Sequence, residues 1–431
     1  MKTLAKLKRY LSFNRIFFSQ LTELKGRGVN SDGFSGVSVG AKRFWMYAES
    51  IGEFKSALYI MDTIRSLPNN NEKESKKFFF ISFKTSSTLY FARKKINLSE
   101  YSKSMLYFFH PVAAFKFILK RYVSAVDPGY FISIQHHISK NLLNMLLDAG
   151  VKVFFIDIKS TALKKMGINL IGPLSRTKGL SVTILRTSGV NSLKLDVLPV
   201  SLKFNFRFGR AGNRGVTNVI DMLQCGGVSN NTFISFVSIH EKESIFILNL
   251  VKKIVSECST KNLTGNLKFI FAPRNIKISS ELFEEARKID LNPTYYKNIR
   301  NFLKNDGIKS LIVDEYGVLD DIYLISDIVY VGKSLFKKEG GGHNVIEPAS
   351  YGRAVVTGSY AINFKDIVSD MHKNNAITVV DENNFKDCLI ELIKDKEFRR
   401  KMGENGSDFC LRKKDEIENY LKQYFAENII T

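Results

Sequence analysis

Short apolar runs rich in Val, Ile, Phe and Tyr alternate with helix-patterned stretches along almost the whole chain. In the first half the runs are Phe44–Ala48, Phe78–Phe83, Tyr130–Gln135 and Val153–Asp157. Between the last two, Lys140–Ala149 carries Leu142, Leu143, Met145, Leu146 and Leu147 at helical spacing, and Gly150 stops it. The second half repeats the habit at Phe233–Ile239, Leu267–Ala272, Ser310–Val313, Ile328–Val331, Ala354–Thr357 and Ala376–Val380. Strand, helix, strand in this rhythm predicts an α/β chain whose parallel sheets are covered by helices on both faces.

The rhythm breaks once. Val190–Asn230 sets Gly209, Gly212, Gly215, Gly226 and Gly227 among polar residues and reads as linker and entry loops. A chain of 431 residues has length for two or three cores. The expected division is a first domain over 1–190, a linker over 191–230 and a second domain over 231–431. Two such Rossmann-like domains would turn the carboxyl ends of their strands toward one ligand-binding cleft.

Charge narrows the ligand. Lys and Arg number 64 against 42 acids, a net +22, which favours polyanions, anionic membranes or acidic small molecules. Hydrophobic residues at 44% and charged residues at 25% exclude a disordered chain. The basic residues are spread rather than clustered and no RRM, KH or zinc pattern appears, which argues against nucleic acid. Cys225, Cys258, Cys388 and Cys410 lie far apart with no CxxC pair, as expected in a reducing compartment. No stretch approaches the roughly 18 apolar residues that span a bilayer. Residues 1–20 interleave Lys2, Lys6, Lys8, Arg9 and Arg15 with Leu4, Leu7, Leu11, Ile16 and Phe17. That pattern suits a basic amphipathic helix on an anionic membrane surface, and equally a surface helix packed on its own domain.

Three stretches carry chemistry. In Trp45–Lys55 a strand ends at Ala48, Ser50 caps, Gly52 turns the chain, and Glu53 stands near the start of a helix with Ala57 and Leu58 inward. Helix-start N–H groups favour the ionised carboxylate, which could serve as a general base or simply as part of the helix start. In the second stretch, Asp314–Asp320 and Val329–Leu335 are followed by Gly340-Gly-Gly-His-Asn-Val-Ile-Glu-Pro348. A strand thus opens into a Gly/Ser/Lys loop, then into a glycine loop before a helix starting near Asn344. Such loops admit a phosphate to backbone N–H groups, and Glu347 could hold ribose hydroxyls. Neither GxxxxGK[ST] nor GxGxxG fits. In the third, Phe271-Ala-Pro-Arg274, Arg274 sits just past a strand, where it could clamp a phosphate or carboxylate or pair with a surface acid. His136 and His137 are adjacent, so on a strand at most one would face any site.

In this order the stretches resemble the bacterial 3-deoxy-D-manno-octulosonic acid (Kdo) transferases that decorate lipid A. The family's Ser-Val-Gly-Glu-Val turn is matched by Ser50-Ile-Gly-Glu-Phe54 and its Pro-Arg-His turn by Pro273-Arg274 with Asn275. Asp314–Leu319, Val331–Leu335 and Gly341–Pro348 match its Asp-x-x-Gly-Glu-Leu, Val-Gly-Gly-Ser-Leu and Gly-Gly-His-Asn-x-x-Glu-Pro stretches. Val200–Phe204 and Ser238–Glu241 are weaker echoes, and the resemblance spans roughly residues 44 to 405.

The resemblance implies a GT-B fold, acceptor domain first and CMP-sugar domain second, and an inverting, metal-independent transferase. Glu53 would be the general base. Pro273, Arg274, Gly317, Ser334, Gly342, Asn344 and Glu347 would hold the CMP-Kdo donor, with Arg274 and the helix near Asn344 neutralising the leaving phosphate. Ser50, Gly52, Lys55 and Lys203 are candidate sugar or acceptor contacts. His343 would order the loop or touch phosphate. No cofactor beyond the donor substrate is implied. The acceptor would be an anionic glycolipid or polysaccharide, and the location cytoplasmic, peripheral on the inner face of the bacterial inner membrane. The chain also departs from the family. Its acidic Glu-Thr-Glu-Leu-Trp-Pro-Asn stretch is Gln135–Asn141 here, its Gly-Glu-Leu glutamate is Val318, the second Gly of Val-Gly-Gly is Lys333, and the N-terminal membrane helix is not evident. Those changes leave room for another acidic donor or acceptor, or for an inactive member acting as a binding or assembly protein.

Overall fold

The computed structural model describes residues 42–68, 77–85, 88, 92, 104–111, 116–158, 180–185, 196–198, 231–260, 266–338 and 340–430. Residues 1–20, Lys203 and most of 191–230, for which expectations were stated above, lie outside them. Chain contacts define two compact units, Met1–Asn205 with Asp415–Thr431, and Phe206–Lys414.

The first unit is built on strands β1 (Lys42–Tyr47), β2 (Lys77–Phe83), β3 (Met105–Phe109), β4 (Tyr130–Ile134), β5 (Lys152–Ile158), β6 (Leu180–Leu185) and β7 (Asp196–Leu198). All pair in parallel, in the order β3-β2-β1-β4-β5-β6-β7. Among the described residues its helices include α1 (Ile51–Ser66), α2 (Lys116–Val126) and α3 (Lys140–Asp148). Strand β1 runs through the middle and is buried on both faces: Phe44, Trp45 and Met46 are wholly buried. Phe44 stacks on Phe79 and Tyr130 at 5.0 and 4.7 Å, so neighbouring strands are locked by cross-strand aromatic pairs.

The second unit repeats the plan with β8 (Asn231–Ile239), β9 (Asn266–Pro273), β10 (Pro293–Tyr295), β11 (Ser310–Ile312), β12 (Ile328–Val331), β13 (Ala354–Gly358) and β14 (Thr378–Val380). These too are all parallel, in the order β10-β11-β9-β8-β12-β13-β14. Helices α4 (Glu241–Thr260), α5 (Ser279–Lys288), α6 (Ile299–Lys304), α7 (Leu319–Ile325), α8 (Ile346–Ser350), α9 (Lys365–Lys373) and α10 (Phe385–Lys394) connect them. Helix α11 (Lys396–Phe425) closes the chain.

Two parallel α/β units of this order are the GT-B fold. Each expected strand is present within one or two residues. Strands β3, β6, β7 and β10 were not anticipated. Strand β3 carries only Met-Leu-Tyr-Phe-Phe, and β7 and β10 are three residues long, too short for a periodic signal. The expected second domain ran to 431, whereas Asp415–Thr431 falls with the first unit. The reason is local packing: Lys42 Nζ donates to Ile429 O at 2.9 Å, and Phe425 is fully buried with its ring 6.3 Å from that of Phe154.

Candidate active site

The strand order reverses between β1 and β4 in the first sheet and between β8 and β12 in the second. At such a switch point the flanking connections leave in opposite directions and open a crevice at the carboxyl ends of the strands. The residues with unusual chemistry gather at these two places.

After β1 the chain enters α1 through a capping box. Ser50 Oγ accepts from Glu53 N at 3.3 Å, while Glu53 Oε2 accepts from the N–H groups of Ser50 and Glu49 at 3.2 and 2.6 Å. The Ser-x-x-Glu spacing therefore draws the Glu53 carboxylate back over the turn, where it is only 7% exposed. Parallel register sets Tyr47 of β1 beside Ser133 of β4, which brings the loop after β4 onto this turn. Ser133 Oγ donates to His136 O at 2.6 Å and fixes the histidine backbone. Gln135, at φ +60, donates through its side chain to Asp157.

His136 then spans two carboxylates. Its Nε2 lies 3.0 Å from Glu53 Oε1 and its Nδ1 2.9 Å from Glu49 Oε2. Lys84 Nζ holds the other Glu49 oxygen at 2.7 Å. Burial pushes the Glu53 carboxyl up, but the His136 hydrogen bond, its charge and the two backbone N–H groups outweigh it and hold the group below the usual carboxylate value. The same hydrogen bond lifts His136 above the ordinary histidine value, against burial and Lys84 and with help from the charges of Glu53 and Glu49. Of the candidate contacts, Ser50 caps the helix, Gly52 lies in the first turn of α1 rather than in a separate glycine turn, and Lys55 is exposed on the same helix.

At the second switch point Glu243, in the first turn of α4, is 1% exposed. Its carboxylate accepts from the N–H groups of Lys333, Ser334 and Leu335 at 2.6, 3.0 and 3.2 Å, and from Tyr330 OH at 3.1 Å. One buried anion thus shapes the loop that leaves β12. Gly332 is required there, because a Cβ would stand 2.8 Å from Ile239 Cα and 2.9 Å from Glu243 Oε2. Lys333 adopts φ +62, a left-handed conformation in which glycine is at ease and lysine is not. Its carbonyl accepts from Gly342 N at 2.7 Å, which ties the two loops together.

Ser334 is fully buried. Its Oγ accepts from Gly358 N at 2.8 Å and lies 2.8 Å from Val331 O as donor. The hydroxyl of this expected donor contact is thus engaged within the unit and supports the loop. The expected helix near Asn344 is the single turn α8, and Asn344 Oδ1 already takes the Ile346 N–H at 3.1 Å. One turn has little dipole to offer a phosphate, so positive charge must come from side chains. Gly317 turns at φ +88 in the exposed segment before α7, and Glu347 is half-buried in α8. Gly342 turns at φ +70, where a Cβ would meet Ala361 Cα at 2.9 Å.

Those side chains converge at the ends of β8, β9 and β12. His240 Nε2 lies 3.2 Å from His343 Nε2, with the rings stacked at 5.5 Å. Pro273 ends β9, and Arg274 N donates to Ile239 O at 3.0 Å, which holds Arg274 beside His240. Burial pushes His343 down to about 4, and the charges of Arg274, His240 and Lys333 press it the same way. A cationic patch that suppresses its own histidine suits an anion.

Residues 292–409 match the family model of glycosyl transferases group 1. The 3-deoxy-D-manno-octulosonic acid transferase of Haemophilus influenzae is 22% identical over 326 residues, covering 73% of this chain and 74% of that protein. The enzyme of the same name from Aquifex aeolicus is 30% identical over 162 residues, 37% of this chain and 42% of that one. These matches join the ordered motifs already described. The chain is a glycosyltransferase similar to the Kdo transferases. A glycosyltransferase from Rickettsia africae has the same fold, with a TM-score of 0.53 and 10% identity over 90% of this chain and 99% of that one.

Four residues of the candidate site were not singled out in these positions by sequence reasoning. His136 read as one of an adjacent pair; only the β1–β4 pairing places it on Glu53. Lys333 read as a departure, yet its charge reaches His343. His240 belonged to a weak echo, and Glu243 carried no signal beyond its place in a helix first turn.

Proposed function

We propose that the chain transfers Kdo, or a related acidic sugar, from a CMP-activated donor to a hydroxyl of an anionic glycolipid or polysaccharide, inverting the anomeric centre without a metal. The observation that carries this reading is the division of chemistry between the switch points: a buried carboxylate with a histidine partner in the first unit, a Lys/Arg/His patch in the second. The family relation supports Kdo as the sugar. A CMP-activated acid sugar brings a phosphodiester and a carboxylate, and two negative charges suit that patch.

In this mechanism the first unit takes the acceptor and the second the donor. Glu53 removes the acceptor proton as the oxygen forms its bond to the anomeric carbon. The bond to phosphate breaks, and its electron pair leaves with CMP. Arg274, Lys333 and the histidine pair stabilise that charge as it develops. Pro273, Gly342, Asn344 and Glu347 are the candidate nucleotide contacts, and Gly317 turns the segment before α7. Among the described residues no helix is long and apolar enough to cross a membrane. The net +22 and the basic residues 1–20 support peripheral contact with an anionic inner-membrane face on the cytoplasmic side.

The test is CMP release from CMP-Kdo generated in situ, with and without a lipid A precursor, in wild type and Glu53→Ala. Release that needs both precursor and carboxylate is the expected result. CMP binding without turnover under every acceptor would instead favour an inactive, binding member.

A further inference from the structure

The two carboxylates and one imidazole after β1 and β4 leave few open valences. Glu53 Oε2 is filled by two backbone N–H groups. Its Oε1 faces His136 Nε2 and has one lone pair left for a substrate proton. His136 has carboxylate oxygens at both ring nitrogens, an arrangement complete only when both nitrogens carry protons. The bridged geometry is therefore that of the site after it has gained a proton. Neutral His136 keeps one N–H; in the tautomer that keeps it on Nδ1 toward Glu49, the bare Nε2 faces Glu53 Oε1.

Resting on the transferase reading above, we propose that His136 is a positioning residue that stores the acceptor proton: the proton leaves the acceptor hydroxyl, crosses Glu53 Oε1 and settles on His136 Nε2, while Glu49 holds the opposite ring nitrogen. The acceptor oxygen keeps its electron pair for the new bond to the anomeric carbon, and the pair of the broken bond leaves with CMP phosphate. Nothing else is consumed.

A lone Glu53 beside a charged His136 would be a weak base, since the cation holds its carboxyl down. Acting with a neutral His136 it is a stronger one, because the proton ends between two carboxylates. The groups that face His136 are Glu49 and Glu53 from the β1–α1 turn, Lys84 from the end of β2, and the Tyr47 ring, edge-on at 6.5 Å. Burial and, among these groups, Lys84 oppose protonation, and the Lys84 ammonium is already bound to Glu49. Gln135–Asn141 stands where the related family is acidic, so the histidine belongs to the segment that diverges.

The experiment measures the pH profile of CMP release by the full chain for wild type and His136→Gln, with the His136 ring titrated by NMR in wild type and Glu53→Gln. Glutamine can donate to Glu53 but cannot store a proton. Wild-type kcat/KM should rise with pH along a one-proton limb centred above the ordinary histidine value. In His136→Gln that limb should move to the carboxylate range and the plateau fall about tenfold to a hundredfold, within the usual reach of acid–base catalysis. The ring titration should be high in wild type and drop in Glu53→Gln. Turnover with a limb unmoved by His136→Gln overturns the proton store and leaves the transferase standing. A coupled ring titration without turnover on CMP-Kdo supports the pair and rejects the donor.

Discussion

The Nε2 atoms of His240 and His343 face each other at 3.2 Å, on loops that follow β8 and β12 in a patch shared with Arg274 and Lys333. One nitrogen must donate and the other accept, so without an anion the pair carries at most one proton on that contact. Burial, with the charges of Arg274, His240 and Lys333 added to it, holds His343 down to about 4, and a bound dianion opposes the charge part of that depression. CMP binding should therefore take up protons and weaken as pH rises. Calorimetry in buffers of different ionisation enthalpy reads this directly; a heat independent of buffer would exclude it.

Arg274→Ala should weaken CMP binding by about tenfold or more, the scale of a lost charge-assisted hydrogen bond. His343 should then titrate higher than in wild type, because one of the charges that depress it is gone. An unchanged His343 titration would place Arg274 away from the patch.

Lys333 sets stability against binding. Its φ of +62 costs about 1 kcal/mol relative to a glycine. Lys333→Gly should thus raise the stability of the second unit slightly in urea titrations, by less than that figure because glycine is freer when unfolded. The same change should weaken CMP binding. A variant that loses stability and binds CMP as before would contradict both halves.

Glu243 is the scaffold of the loop. Truncation to Ala strands two buried N–H groups and a half-buried one, the buried ones at about 1 kcal/mol or more each, so Glu243→Ala should lose about 2 kcal/mol or more. A loss near zero in denaturant titration would mean that the loop holds itself.

The first switch point gives stability its own pH dependence. His136 is raised in the folded chain, so its contribution is full below its unfolded value and fades as pH rises through the folded one. Glu53 is lowered, so its contribution is present above the ordinary carboxylate range and fades as pH falls through the depressed value. The bridge is strongest between them. His136→Gln should flatten the alkaline side of the stability profile, and an unchanged slope there would disprove the coupling.

The fold was legible because each long parallel strand is buried on both faces and therefore reads as an unbroken apolar run; Phe78–Phe83 and Ile328–Val331 are examples. Glu53 was legible through its cap, since Ser50 and Glu53 stand at capping-box spacing. His136 was not, because its partner is 83 residues away and strand pairing alone brings them together. For Ser334 the sequence shows a polar residue in a glycine loop and cannot show that its hydroxyl bonds Gly358 N and Val331 O. Lys333 looked like a loss for a similar reason: a motif registers the missing glycine, whereas the backbone tolerates the strain and gains a charge.

The most direct measurement is CMP release from CMP-Kdo, generated in situ, by wild type and Glu53→Ala with a lipid A precursor present or absent. The account predicts release that depends on the precursor and falls about a hundredfold or more in the variant, while both proteins bind CMP alike. Equal release by the two proteins would contradict it.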